Sequence, residues 1–196
     1  MTIKEQYAAI ANNHRELLEK VITYACDSLK ITREEFLGEN LKANVKQLLK
    51  TLKINNHKAV DLRLERKRVR EDLDDIERAF CGSPGGDMVP QGKNTGGKPN
   101  KAEEREIERL TLKELLGKLV IENMLLEKSL EEHNKLIVDF INLIPRKNYN
   151  QVLKMTYIDC MSNTNIACEM YYTTEFVNKA RLRGIIDLVQ IMKCVV

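Results

Sequence analysis

Residues 163–182 read NTNIACEMYYTTEFVNKARL, and the reading of this stretch decides the fold. Ile166, Ala167 and Met170 share one face of a first short helix. Thr173 is placed to cap a second helix whose inward positions are Phe176, Val177 and Ala180. Thr174, Glu175, Asn178, Lys179 and Arg181 are left facing out. Two short helices joined by a tight turn form a helix-turn-helix, and the second helix of such a pair can enter the major groove of DNA. The small Ala167 suits the point where the two backbones approach, and Val177, ten positions later, supplies the buried apolar partner. Thr173 can also bond a phosphate. Glu175 can accept from cytosine, Asn178 can pair with adenine, and Arg181 can reach guanine or phosphate. The left-handed position of the turn falls on Tyr171 rather than on glycine, at a cost on the order of 1 kcal/mol. The pattern by itself leaves two readings open: a DNA-binding module, or three helices that form a core.

Outward from this stretch, the chain reads as helix almost throughout. Its 196 residues suffice for one or two domains. There is no tryptophan, and charged residues with leucine and isoleucine dominate, which suits long helices and coiled coils rather than a sandwich or barrel. A helix is expected from Ile3 to Ser28. Thr32 followed by Glu35 is a capping box opening the next helix, and Ile54-Asn55-Asn56-His57 reads as a break before a charged helix over Lys58–Phe80. Residues 81–100 hold six of the nine glycines and three of the four prolines, the composition of a flexible linker. A long helix over Lys101–Leu143 follows. Its Leu112, Leu115, Leu119, Leu126, Leu130, Ile137 and Phe140 resemble a coiled-coil seam, although Glu122 and Ser129 interrupt it. Pro145 ends that helix, and a short one is expected over Tyr149–Tyr157. The fold class is therefore all-α: a long helical hairpin or coiled coil followed by a carboxyl-terminal helix-turn-helix domain. The divisions are an amino-terminal helical region 1–80, the linker 81–100, the coiled-coil-like helix 101–144 and the helix-turn-helix domain 145–196.

The net charge of +3 conceals a pattern. Residues 41–70 hold ten Lys or Arg against Asp61 and Glu65, residues 71–80 reverse the sign, and the end from Pro145 onward is basic again. Two basic blocks fit a partner bearing phosphates, while a solvated helix face is the equal alternative for residues 41–70. The five cysteines match no zinc spacing and read as reduced, mostly buried apolar residues. No apolar run spans a bilayer, the amino terminus is too polar for a signal peptide, and a cytoplasmic protein without a membrane partner is expected. Catalysis is not expected. His133 lacks a nearby Cys or Ser, the carboxylate pairs lie on charged helices, and the glycine-rich stretch lacks the lysine and hydroxyl of a phosphate-binding loop. No cofactor and no metal are expected.

The stretch LKMTYIDCMSNTNIACEMYYTTEFVNKARLRGII, residues 153–186, resembles region 4 of sigma-70-type factors. More specifically it resembles small phage and prophage regulators of the autolysin-regulator and late-operon-activator kind. These carry a "YI-x-G-x-S-x-x-x-IA-x-x-M" run, here Tyr157, Ile158, Cys160, Ser162, Ile166, Ala167 and Met170. The likeness covers roughly residues 60–190, and residues 1–55 have no counterpart in it. Cys160 and Tyr171 stand where the family often has Gly, and Asn163 where it often has Trp. The resemblance implies that Thr174, Glu175, Asn178 and Lys179 read bases and that Arg146, Lys147, Arg181 and Arg183 contact phosphates. It implies a regulator of phage or prophage genes in a bacterial cytoplasm, binding double-stranded DNA at a promoter element and positioning RNA polymerase. A homodimer through residues 101–144 would fit the seam. The alternative is a non-enzymatic helical interaction or structural module.

Overall fold

The computed structural model describes residues 2–81 and 101–195. The expected linker, apart from Cys81, lies outside the described residues. Among them the chain is all-α, with eight helices and no strand. They are α1 (Ile3–Asn13), α2 (Arg15–Leu29), α3 (Arg33–Leu37), α4 (Leu41–Cys81), α5 (Lys101–Asn142), α6 (Lys147–Tyr157), α7 (Asn163–Glu169) and α8 (Thr174–Lys193). None of them is long and apolar enough to cross a membrane.

The compact units do not follow the linear divisions read from the sequence. One unit comprises residues 1–59 and 129–196, and the other comprises residues 60–128. Both α4 and α5 contribute to both units, because each is continuous across a change in the character of its inward face.

In the first unit that face is apolar. Leu18, Val21 and Ile22 of α2, Phe36 of α3, Val45, Leu48, Leu49 and Leu52 of α4, and Ile137, Phe140 and Ile141 of α5 are buried together. The end of α8 joins them through Leu188, Ile191 and Met192. Burying side chains of this size stabilises by about 1.5–3 kcal/mol each, before conformational entropy is subtracted. Gly184 lets α8 lie close on α6: a Cβ there would stand 3.1 Å from Leu153 Cδ1. Asp187 is buried on the same helix, where its Oδ1 accepts a 2.6 Å hydrogen bond from the Tyr7 hydroxyl of α1. Burial and the neighbouring carboxylate push the Tyr7 hydroxyl up to about 12.

Three expectations are corrected in this unit. The helix expected over Ile3–Ser28 is interrupted at His14 (φ −120°, ψ 27°), after the poor helix formers Asn12 and Asn13. Residues 54–57 do not break α4. The asparagine amides there find tertiary partners instead of competing for the local backbone. Asn55 Nδ2 donates to the Tyr24 hydroxyl at 3.1 Å, Asn56 Nδ2 to the Ile158 carbonyl at 3.2 Å, and Asn56 Oδ1 accepts from Asn134 at 2.7 Å. The four cysteines whose side chains are described are not mostly buried: Cys26 and Cys160 are half-buried, and Cys168 and Cys194 are exposed, all as free thiols. Cys168 follows the buried Ala167 on α7 and so points off the packed face. The capping box at Thr32 and Glu35 is present as read, with both reciprocal hydrogen bonds formed.

In the second unit α4 and α5 run antiparallel, and polar groups meet between them. Arg63 and Arg66 both pair with Glu127, Lys113 pairs with Glu77, and Asn123 Nδ2 donates to Glu65 at 3.1 Å. Asn123 and Glu127 are buried, while Leu112, Leu115 and Leu126 of the expected seam are exposed. Leu119 and Leu130 of the same row are half-buried, and Ile137 and Phe140 are buried, so only part of the row turns inward. Asn123 and Glu127 fall at helical spacing between Leu119 and Leu130, so polar groups occupy the inward face there.

Candidate nucleic-acid interface

The geometry of residues 145–193 is built around a small core. Val152 and Met155 of α6, Ile166 and Ala167 of α7, and Val177 and Ala180 of α8 are buried against one another, with Met170 and Phe176 half-buried at the edge. Ser162 caps α7, its side chain accepting from Asn165 N at 3.2 Å. Thr173 caps α8 in the same way, accepting from Phe176 N at 3.2 Å.

The turn between α7 and α8 is closed by a pair of backbone hydrogen bonds. Tyr172 N donates to Ala167 O at 2.9 Å and Tyr171 N to Cys168 O at 3.4 Å, which is the Schellman arrangement. It requires a left-handed residue, and Tyr171 adopts φ 56° with its side chain 94% exposed. The strain is offset by the following residue. The Tyr172 ring lies 4.2 Å from that of Phe176, and its hydroxyl accepts from Asn148 at 3.1 Å, tying the turn to α6. Cys160, in the loop between α6 and α7, is also left-handed at φ 54°.

Thr173, Thr174, Glu175, Asn178 and Lys179 are all exposed along the start of α8. Arg181 is half-buried rather than facing freely out. Its guanidinium donates to Asn178 Oδ1 at 3.2 Å and to Asn163 Oδ1 at 3.5 Å, while Asn163 Nδ2 donates to Asn178 Oδ1 at 2.8 Å. This network sets the angle between α7 and α8 and orients two of the expected base-reading and phosphate-binding groups. Asn163, Asn178 and Arg181 each take part in two of its three hydrogen bonds.

Arg146, Lys147 and Arg183 are exposed. The structure brings Arg146 and Arg183 together at Tyr149. Arg146 donates to its hydroxyl at 3.2 Å and lies 5.2 Å from its ring centre. The Arg183 guanidinium, seconded by Arg146, holds the Tyr149 hydroxyl below its ordinary value. Neither arginine pairs with a carboxylate among the described residues, so both guanidiniums keep donors for an oxyanion.

The sequence reading missed Tyr149 and Asn163 as positioning residues, because their partners lie on other helices. It also missed a groove of about 430 Å³ beside Arg181 and Asn163, lined by Lys46, Lys50 and Lys53 of α4 and by the α6–α7 loop. The available signal was the spacing of those lysines along the flank of the face formed by Val45, Leu48, Leu49 and Leu52. Among the described residues no cluster of His, Cys, Asp or Glu is placed to hold a metal ion. Comparisons with models of known families, with curated proteins and with solved structures find no match to this chain.

Proposed function

We propose that the chain is a sequence-specific DNA-binding transcriptional regulator of phage or prophage genes, acting from the bacterial cytoplasm without catalysis. In this reading α7 and α8 form a helix-turn-helix, and α8 reads the major groove of a promoter element. The observation that carries it is the start of α8. Five exposed polar side chains stand on a helix fixed by a cap, a closed turn and a compact apolar base. A surface held this rigidly orients its donors without ordering them on binding, which favours base discrimination.

The two left-handed residues support the family likeness in a way the sequence alone does not. Cys160 and Tyr171 stand where the related regulators often carry glycine, and both have the positive φ that glycine accommodates. The backbone is thus of the kind the family motif needs, reached with other residues. Arg146, Lys147, Arg181 and Arg183 would hold phosphates on either side of the groove, and RNA polymerase would be positioned by the bound protein.

The test is selection of fragments of the source genome by the purified protein at two salt concentrations, followed by sequencing. Enrichment of promoter-proximal sites that weakens steeply with salt supports the reading. Glu175→Ala and Asn178→Ala should each relax the preference at one base position, at about 1–3 kcal/mol of discrimination. Absence of binding at low salt would sink it.

A second reading is favoured by one observation, the apolar residues left outside on α5. Leu112, Leu115, Ile121, Leu125 and Leu126 are all more than 40% exposed. They suit a helical interaction module or a homodimer through residues 101–144. Sedimentation at micromolar concentration tests the dimer, with Leu115→Glu expected to dissociate it.

A further inference from the structure

We propose that Lys46, Lys50 and Lys53 form a second strip of phosphate contacts, so that the amino-terminal region is part of the DNA interface. The inference rests on the DNA-binding reading above and extends it to residues outside the family likeness.

The three lysines recur at i, i+4 and i+7 on α4 and share one face. Val45, Leu48, Leu49 and Leu52 hold the adjoining face in the core, so the register of the lysine strip that flanks it is fixed by packing. All three are exposed, and all three line the groove whose far wall carries Arg181, Asn163 and Ser162. No residue lining that groove is acidic. Nor does any of the three lysines, or Arg181, form an ion pair among the described residues. Four cations converging on a groove with no counter-charge repel one another, and an anionic strand relieves that repulsion. From Lys46 to Lys53 the helix rises about 10 Å. At about 3.4 Å of duplex axis per phosphate of one strand, that length meets two or three successive phosphates. Arg181 links this strip to α8, so one DNA backbone can pass from the reading helix into the lysine groove.

Lys67, Lys113 and Lys118, by contrast, each have a carboxylate partner, in Glu71, Glu77 and Glu114, and serve as the control.

The experiment compares wild-type protein, the triple variant Lys46→Gln, Lys50→Gln, Lys53→Gln, and a control triple Lys67→Gln, Lys113→Gln, Lys118→Gln. Binding to a labelled random-sequence duplex of about 30 base pairs is followed across a fourfold rise in salt, with helicity checked by circular dichroism. Each lost phosphate contact lowers the salt slope by about one. The first triple should therefore lose roughly 40-fold less affinity over that range than wild type. The control should behave as wild type, and the base preference selected from a sequence library should be the same for all three proteins. An unchanged slope in the first triple, with wild type still binding, overturns this inference and leaves the proposed function standing. Equal loss in both triples reduces the effect to net charge and overturns it as well. Failure of wild type to bind at low salt overturns both readings together.

Discussion

The two compact units solve the same compositional problem in opposite ways. Both are built from leucine-rich, highly charged helices. In the unit of residues 1–59 and 129–196 the apolar side chains are inside, and cations such as Lys46, Lys50, Lys53, Arg146 and Arg183 stand outside with no ion pair among the described residues. In the unit of residues 60–128 the charges are brought between the helices, where Glu127 holds Arg63 and Arg66, and leucines are left outside. The basic block of residues 41–70 is therefore two things. In its first half Lys42, Lys46, Lys50 and Lys53 form no ion pair among the described residues, whereas in its second half Arg63, Arg66 and Lys67 are paired and Lys58, Arg68 and Arg70 are not. A free cation can bind an anionic partner, whereas a cation already paired must first give up its carboxylate. The contrast gives the phosphate contacts proposed above unpaired cations in the first unit, and leaves exposed leucines in the second.

The largest effect expected from breaking this contrast is in the apolar core. Phe140→Ala removes a fully buried ring and should cost about 3–5 kcal/mol in urea unfolding. A loss below 1 kcal/mol would mean the first unit does not depend on that core. Next comes the buried polar exception in the same unit. Tyr7→Phe leaves Asp187 without its donor and should cost about 1–3 kcal/mol. Because the folded Tyr7 value is raised, its contribution is complete below the ordinary tyrosine range and is lost as pH rises towards about 12. Alkaline unfolding curves of wild type and Tyr7→Phe should therefore converge over that interval.

A gain is expected at the turn. Tyr171→Gly relieves a left-handed non-glycine whose side chain is almost wholly in solvent, and should raise stability by about 1 kcal/mol on thermal unfolding. The smallest effects belong to the exposed ion pairs of the second unit, such as Lys67 with Glu71 and Lys118 with Glu114, which contribute little at neutral pH. The buried Glu127 has its signature in pH. The hydrogen bond from Arg63 holds the Glu127 carboxyl below its ordinary value, with the nearby Arg66 charge adding to it. Its contribution is present above the ordinary glutamate range and is lost as pH falls through the lowered value. Amide exchange in residues 106–128 should accelerate over that acid interval, and Glu127→Gln should abolish the dependence. Equal acid sensitivity in residues 41–52, packed on apolar partners, would break the contrast between the units.

Local chemistry made much of this legible in advance. The caps at Thr32 and Thr173, the buried set Ile166, Ala167, Val177 and Ala180, and the left-handed turn at Tyr171 each depend on residues within a few positions of one another. Short-range sterics and hydrogen bonding settle such features, so the sequence carries them openly. Asn55 and Asn56 were read as breakers for the same local reason, and there the inference failed. Their amides are satisfied by Tyr24, Ile158 and Asn134, partners that no local window contains.

The sequence by itself determined the helical class, the positions of the caps and turns, and which face of α8 stays polar, because periodicity and capping are properties of neighbouring residues. Only the tertiary structure decided which face of α5 meets α4, and that Arg146 and Arg183 converge on Tyr149. It alone also placed the lysines of α4 beside Arg181. These are pairings between residues up to about 130 positions apart, chosen by which combination of faces buries apolar surface while leaving each charge either paired or in water.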